Sequence, residues 1–146
     1  MRIYLDMCCL QRPMDDRTHI RIHMEAEAIL GVLAWCEAGE AELLNSVALK
    51  YEVDHNPHPA RKAFAQETLL KCKQTVQASD LVERRGRLYC DNGLKVLDAL
   101  HLPCAVETQA NYFCTCDDRF YRRAKQLDTS QTRVVSPLEL IEVIEP

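Results

Sequence analysis

Arg2-Ile3-Tyr4-Leu5-Asp6 is the stretch from which the fold can be read. A short apolar run begins one residue from the N-terminus and stops at an acid. A run of this kind fits a strand buried inside a sheet. Asp6 then stands at the strand's carboxyl end, the edge at which open α/β sheets bind ligands. Glu52, Asp98 and Asp117 stand out in similar settings far along the chain, and together the four read as one carboxylate cluster.

Working outward, residues 7–16 contain Pro13 and the pair Asp15-Asp16 and read as a loop. A helix is expected from about Thr18 to about Glu37, because Ile22, Ala26, Ile29, Leu33 and Cys36 recur at intervals of four and three. Thr18 is its candidate N-cap and Gly39 its stop. Residues 41–45 read as a second strand. Ser46 is placed to cap the helix carrying Glu52, which ends at His55-Asn56-Pro57-His58-Pro59. A helix over 59–73, a strand at 75–77 and a helix opened by Asp80 and ending near Gly86 or Cys90 follow. After the Asp91-Asn92-Gly93 turn comes a helix carrying Val96, Leu97, Asp98, Leu100, His101, Cys104 and Ala105. Residues 112–115 form a buried strand ending toward Asp117-Asp118, and 118–127 a basic helix with Asp118 as its N-cap. Arg133-Val134-Val135 is the last strand, and Ser136-Pro137 starts a final helix through Ile144. Strands alternate with helices throughout, so the expected fold class is α/β with a mainly parallel, helix-covered sheet. One domain should span residues 1–146, without repeat or linker.

Apolar residues make up 47% of the chain and charged residues 27%, as in ordinary globular proteins. No apolar run is long enough for a membrane span, and the N-terminus lacks a secretory signal pattern. A cytoplasmic protein is the expectation. Eight cysteines contain no Cys-x-x-Cys pair, so they read as small buried hydrophobes of a reducing compartment. Cys8, Cys9, Cys114 and Cys116 could still meet at one sheet edge, although structural zinc prefers tighter ligand pairs. A net charge of −4 excludes a polycationic nucleic-acid binder. Contact with phosphates would need local patches, such as Arg84-Arg85-Gly86-Arg87 or the segment with Arg119, Arg122, Arg123 and Lys125, or Arg12 from its loop. Each patch taken singly reads more readily as a solvated helix face or turn, and Arg12 equally as a surface residue.

The acids carry the chemistry. Four carboxylates at one sheet edge repel one another, so they take up protons or hold a hard cation. Mg²⁺ or Mn²⁺ suits an all-oxygen site and favours phosphate ligands. Two such ions serve phosphodiester hydrolysis without a histidine base or a serine nucleophile. Singly, Asp6 reads equally as a strand-end cap, whereas Asp98 reads more readily as a first-turn acid favoured by the helix dipole and Glu52 as a half-exposed residue. His101 reads as a core-edge histidine, with contact to substrate one turn from Asp98 as the alternative, and Trp35 as core or helix packing.

Tyr4-Leu5-Asp6, Tyr51-Glu52, Leu97-Asp98-Ala99-Leu100-His101-Leu102 and Thr115-Cys116-Asp117-Asp118-Arg119-Phe120 occur in an order that resembles the PIN-domain family, which includes the VapC toxins. The resemblance spans almost the whole chain. It implies a three-layer α/β/α sandwich with a mainly parallel sheet of about five strands. It further implies Mg²⁺- or Mn²⁺-dependent endoribonuclease activity on RNA, frequent homodimers and an antitoxin partner that blocks the site. By resemblance Asp6, Glu52, Asp98 and Asp117 are the catalytic and metal-site acids. Asp118 is a fifth candidate, and Ser46 or Thr115 would support a ligand carboxylate or a metal-bound water. Pro103 departs from the pattern, because it removes a backbone hydrogen bond and should kink the helix after Asp98. Cys8 and Cys9 place oxidisable thiols beside Asp6.

The competing reading is a PIN-like module that binds RNA or protein with little or no cutting. Phosphotransferases on similar sheets fit poorly. Haloacid-dehalogenase-type phosphatases need an aspartate where Cys8 stands. Receiver domains need a lysine where Ser136-Pro137 follow the last strand.

Overall fold

A computed structural model describes residues 1–144. In chain order the elements are β1 (Arg2–Leu5), α1 (Met7–Gln11), a 3₁₀ turn (Arg12–Met14), α2 (Ile20–Glu37), β2 (Glu42–Leu43), β3 (Asn45–Ser46), α3 (Val47–Asp54), α4 (Pro59–Leu70), β4 (Thr75–Val76), α5 (Asp80–Asp91), α6 (Asp98–Glu107), β5 (Tyr112–Cys114), α7 (Asp118–Ala124), β6 (Arg133–Val135) and α8 (Pro137–Ile144). The strands form a parallel sheet of order β2-β1-β5-β6 and a parallel pair β3-β4.

The two sheets are one continuous idea. Only Leu44 separates β2 from β3. Its N–H donates to the Ile3 carbonyl at 2.9 Å, whereas the next N–H, of Asn45, donates to Gln74 at 3.2 Å. Successive amides of an extended chain point to opposite edges. The segment therefore pairs with β1 on one side and with β4 on the other, giving five strand positions. Helices cover the sheet as the alternation of elements requires. Ile3, Tyr4 and Leu5 are fully buried, as are Ile29 of α2, Leu49 of α3, Leu102 of α6, Phe113 of β5 and Leu140 of α8.

Local chemistry shifts several boundaries. Residues 7–14, expected as a loop, are helical. Asp6 caps α1 by accepting the Cys9 N–H, and Pro13 sits in the first positions of the 3₁₀ turn, where its missing N–H costs nothing. Helix α2 starts at Ile20 with His19 as N-cap, because the Thr18 N–H is turned back onto Asp16. Helix α4 stops at Leu70, short of Lys73, and α6 starts at Asp98, beyond Val96 and Leu97. Helix α7 is capped by Asp117, so Asp118 is its first residue instead of its cap. Ser46 and Ser136 cap α3 and α8 as expected, the second in a reciprocal pair with Glu139.

Pro103 lies inside α6 and is buried without ending it. Its missing N–H would have bonded the Ala99 carbonyl four residues back. That carbonyl faces Gly86 of α5, and a Cβ built on Gly86 would lie 2.9 Å from it. Gly86 thus lets α5 approach the carbonyl from which Pro103 withholds a helical donor.

Gly86→Ala should lower stability by about 1–3 kcal/mol, since backbone cannot yield to the added methyl and overpacking outweighs the gain in helix propensity. Gly31→Ala on α2, where nothing lies within 4 Å, should instead stabilise by about 0.5–1 kcal/mol. Urea unfolding midpoints of the two variants should move in opposite directions.

Candidate functional site

Parallel pairing sets Leu5 opposite Cys114, and the Asp6 N–H continues the ladder by donating to the Cys114 carbonyl at 3.1 Å. Asp6 and the Thr115-Cys116-Asp117 segment therefore leave the sheet at the same edge. Asp6 is 5% exposed. Its Oδ1 accepts from the Cys9 N–H at 3.1 Å and from the Cys8 S–H at 2.9 Å. Burial, together with the neighbouring Cys8, pushes its carboxyl well above the usual range.

Asp117 is exposed and caps α7, its Oδ1 accepting from Arg119 at 2.9 Å and Phe120 at 3.2 Å. Its own N–H donates to Thr115 Oγ1 at 3.1 Å. Thr115 thus fixes the Asp117 backbone. Asp98 opens α6 and is half-buried. Burial raises its carboxyl, and the negative charges of Asp117 and, more weakly, Glu52 raise it further against His101 and Lys95. Asp98, Asp117 and Glu52 therefore share one electrostatic neighbourhood.

Glu52, on α3, is held by a relay of buried groups. Its Oε1 is 2.5 Å from His101 Nε2, His101 Nδ1 is 2.8 Å from the Tyr4 hydroxyl, and that hydroxyl is 2.7 Å from Ser46 Oγ. Ser46 Oγ also accepts the Leu49 N–H at 3.0 Å. The relay joins Glu52 to the N-cap of its own helix through His101 and Tyr4. Ser46 therefore supports the site by orienting Tyr4, and its oxygen is spent within the relay.

Among the described residues, Asp6, Asp98 and Asp117 form no ion pair. Nor do any three of the four acids bring carboxylate oxygens within 4.8 Å of one another. Asp98 feels the charges of Asp117 and Glu52, and Asp6 leaves the sheet at the same edge as Asp117. All-oxygen donors of this kind would suit a hard divalent cation. Asp118 stands apart, clasped by both guanidinium nitrogens of Arg21 at 2.6 and 3.0 Å, which holds its carboxyl below the usual range.

The basic candidates divide. Arg12 lies among acids, 2.9 Å from Asp15 and 3.1 Å from Glu25 Oε1, the latter without an aligned hydrogen bond. Burial alone would lower its pKa, and Asp15 and Glu25 more than reverse that. Glu25 is 2% exposed and also lies 3.6 Å from Arg21. Arg12 is thereby committed to a structural network. Arg85 is likewise spent on Glu107 at 2.5 Å. Arg119 and Arg122 are exposed on α7 and form no ion pair among the described residues.

Tyr4, Arg21 and Glu25 were not singled out from the sequence as participants, and the role of His101 went beyond its reading. Tyr4 read only as a strand residue, although side chains two apart share a strand face and so Tyr4 shares one with Asp6. His101 is buried as expected and also fixes Glu52. Arg21 and Glu25 were legible only as an i,i+4 pair on a helix.

A family model described as PIN domain matches residues 3–126, a span that includes all four acids. No curated protein matches the sequence. Among solved structures, a chain in the crystal structure of VapBC2 from Rickettsia felis bound to a DNA fragment from their promoter matches with a TM-score of 0.61. The match covers 93% of this chain and 98% of that chain at 12% identity, a likeness of fold.

Because its folded pKa is raised, Asp6 keeps a proton where the unfolded chain has released it, and stability falls as pH rises from about 4 through the folded value. Asp6→Asn, which keeps the N-cap, should flatten that fall. With chelator present, the variant should match the parent in acid and exceed it at neutral pH in denaturant titrations.

Proposed function

The chain belongs to the PIN-domain family, and on that premise we propose that it is an Mg²⁺- or Mn²⁺-dependent endoribonuclease acting as the toxin of a toxin–antitoxin pair. The observation that supports this reading is that Asp98 feels the charge of Asp117 and Glu52, while the buried Asp6 leaves the sheet at the same edge as the segment that ends in Asp117. PIN-domain proteins are metal-dependent nucleases in general.

Asp6, Glu52, Asp98 and Asp117 are proposed to hold the cation. A bound divalent ion supplies Lewis-acid polarisation of the phosphodiester and a more acidic water. The chain's own residues do the positioning. The Cys9 N–H and the Cys8 S–H aim Asp6, the Ser46-Tyr4-His101 relay aims Glu52, and Thr115 steadies Asp117. Arg119 and Arg122 project from the helix that Asp117 caps and are proposed to bind phosphates flanking the scissile bond. Asp118 is offered as a reserve ligand, released when Arg21 turns away.

A homodimer is proposed on the exposed apolar side chains of Leu81, Leu88, Val96, Leu97 and Leu100, along α5 and into α6. An antitoxin is proposed as the partner that covers the site in the resting cell. No helix among the described residues is long and apolar enough to cross a membrane, and the cytoplasm is the proposed location. The second reading, a module that binds RNA or protein without cutting, is favoured by the spacing of the four carboxylates.

Incubation with structured RNAs should separate the two. Cleavage should require Mn²⁺ or Mg²⁺ and fall at least about a hundredfold in Asp6→Asn and in Asp98→Asn, the loss of several kcal/mol of charge stabilisation. Cleavage that survives chelation or both substitutions would overturn the metal-site reading. RNA retained without cleavage would select the binding module.

A further inference from the structure

Four thiols converge beside Asp6, drawn from two segments about a hundred residues apart. Cys9 Sγ lies 3.4 Å from Cys116 Sγ and 3.7 Å from Cys114 Sγ, and the Cys116 N–H donates to Cys8 Sγ at 3.3 Å. The sulfurs of Cys8, Cys9 and Cys116 all lie within 4.8 Å of one another, and they are the one group among the described residues so disposed for a metal. The same register that joins Asp6 to the 115–117 segment creates this cluster, because α1 and the end of β5 leave the sheet side by side.

Zinc–thiolate bonds of about 2.3 Å at tetrahedral angles put sulfurs about 3.8 Å apart. The observed spacing needs only small rotamer adjustments to meet that value. Cys9 and Cys116 are buried, whereas Cys8 is half-buried and faces the edge where solvent enters. Asp6 lies outside the group, and its Oδ1 touches it only at Cys8 Sγ, 2.9 Å away. Soft thiolates select Zn²⁺ or Cd²⁺ over the hard ions suited to the carboxylates, so two chemically distinct sites would adjoin through the Cys8–Asp6 hydrogen bond.

We propose that Cys8, Cys9 and Cys116 form a binding site for a thiophilic divalent cation such as Zn²⁺, with water completing the coordination. Binding releases the three thiol protons and forms three metal–sulfur bonds. It also removes the Cys8 S–H that now donates to Asp6, so the carboxyl loses one of the two bonds that aim it. Resting on the nuclease reading above, occupation therefore switches the enzyme off.

The probe is Cd²⁺ alone, added to the reduced full chain without RNA. Thiolate-to-metal charge-transfer absorption should saturate at one ion per chain. It should weaken at least about a hundredfold in affinity in Cys9→Ser and Cys116→Ser and persist in Cys36→Ser/Cys72→Ser. Cys8→Ser, at a half-buried position, guards against a buried variant that fails to fold, and it should lose the signal equally. Zn²⁺ should raise the unfolding temperature of the parent but not of Cys8→Ser. Absorption unchanged in Cys8→Ser and Cys116→Ser, or lost in the Cys36/Cys72 variant, overturns the site. Zn²⁺ should also suppress Mn²⁺-dependent RNA cleavage in the parent and spare it in Cys116→Ser, each compared with its own rate without Zn²⁺. Cd²⁺ binding with no cleavage under any condition would leave this site standing and refute the nuclease reading. Cleavage with no charge-transfer band would do the reverse.

Discussion

The register of β1 against β5 is the constraint on which the rest depends. With Leu5 opposite Cys114, one carboxyl and one three-residue segment, distant in sequence, must leave the sheet together. A slip of one residue would turn Tyr4 and Asp6 to the opposite face and dissolve the site. Burial of Ile3, Tyr4, Leu5 and Phe113 prevents the slip, because both faces of these strands are covered and every alternative register exposes or crowds something. Packing of the core and placement of the acids are therefore the same event.

What the core gains, the edge gives back in part. Asp6 and Asp98 are held where burial and neighbouring groups oppose ionisation; neither forms an ion pair among the described residues, and His101 and Lys95 offset the shift at Asp98 only in part. Such an arrangement costs stability in a chain without a cation and is retained where function needs it. Elsewhere the protein pairs its charges with care. Glu25 is as buried as Asp6 and has two guanidinium groups beside it. The contrast between the paired Glu25 and the unpaired Asp6 is what the proposed cation site would account for.

Much of this was legible before any coordinates. Periodicity located the parallel sheet and its covering helices because period and length are local properties. Ser46 and Ser136 were readable as caps for the same reason. Residues 7–14 misled because Pro13 reads as a breaker, whereas at the start of a 3₁₀ turn its missing N–H is harmless. Arg12 was open to a phosphate role because its loop looked free, and Asp15 and Glu25 become its partners only through the packing of α2. The relay from Ser46 to Glu52 joins four separate elements, and no spacing rule announces it. Gly86 and Pro103 show the same limit. Each looks like a fault in its own helix, and together they allow two helices to close.

The likeness of fold to a chain of VapBC2 and the match of residues 3–126 to the PIN domain bear on the architecture and family. The central chemical claim, that the four acids share a cation, stands on electrostatics and position. Its most direct measurement is an anomalous difference map from crystals soaked in Mn²⁺. The account predicts a peak in contact with the carboxylates of Asp6, Asp98 and Asp117, near Glu52. Crystals that take up Mn²⁺ only elsewhere on the surface, or that leave this edge of the sheet without a peak at saturating metal, would contradict it.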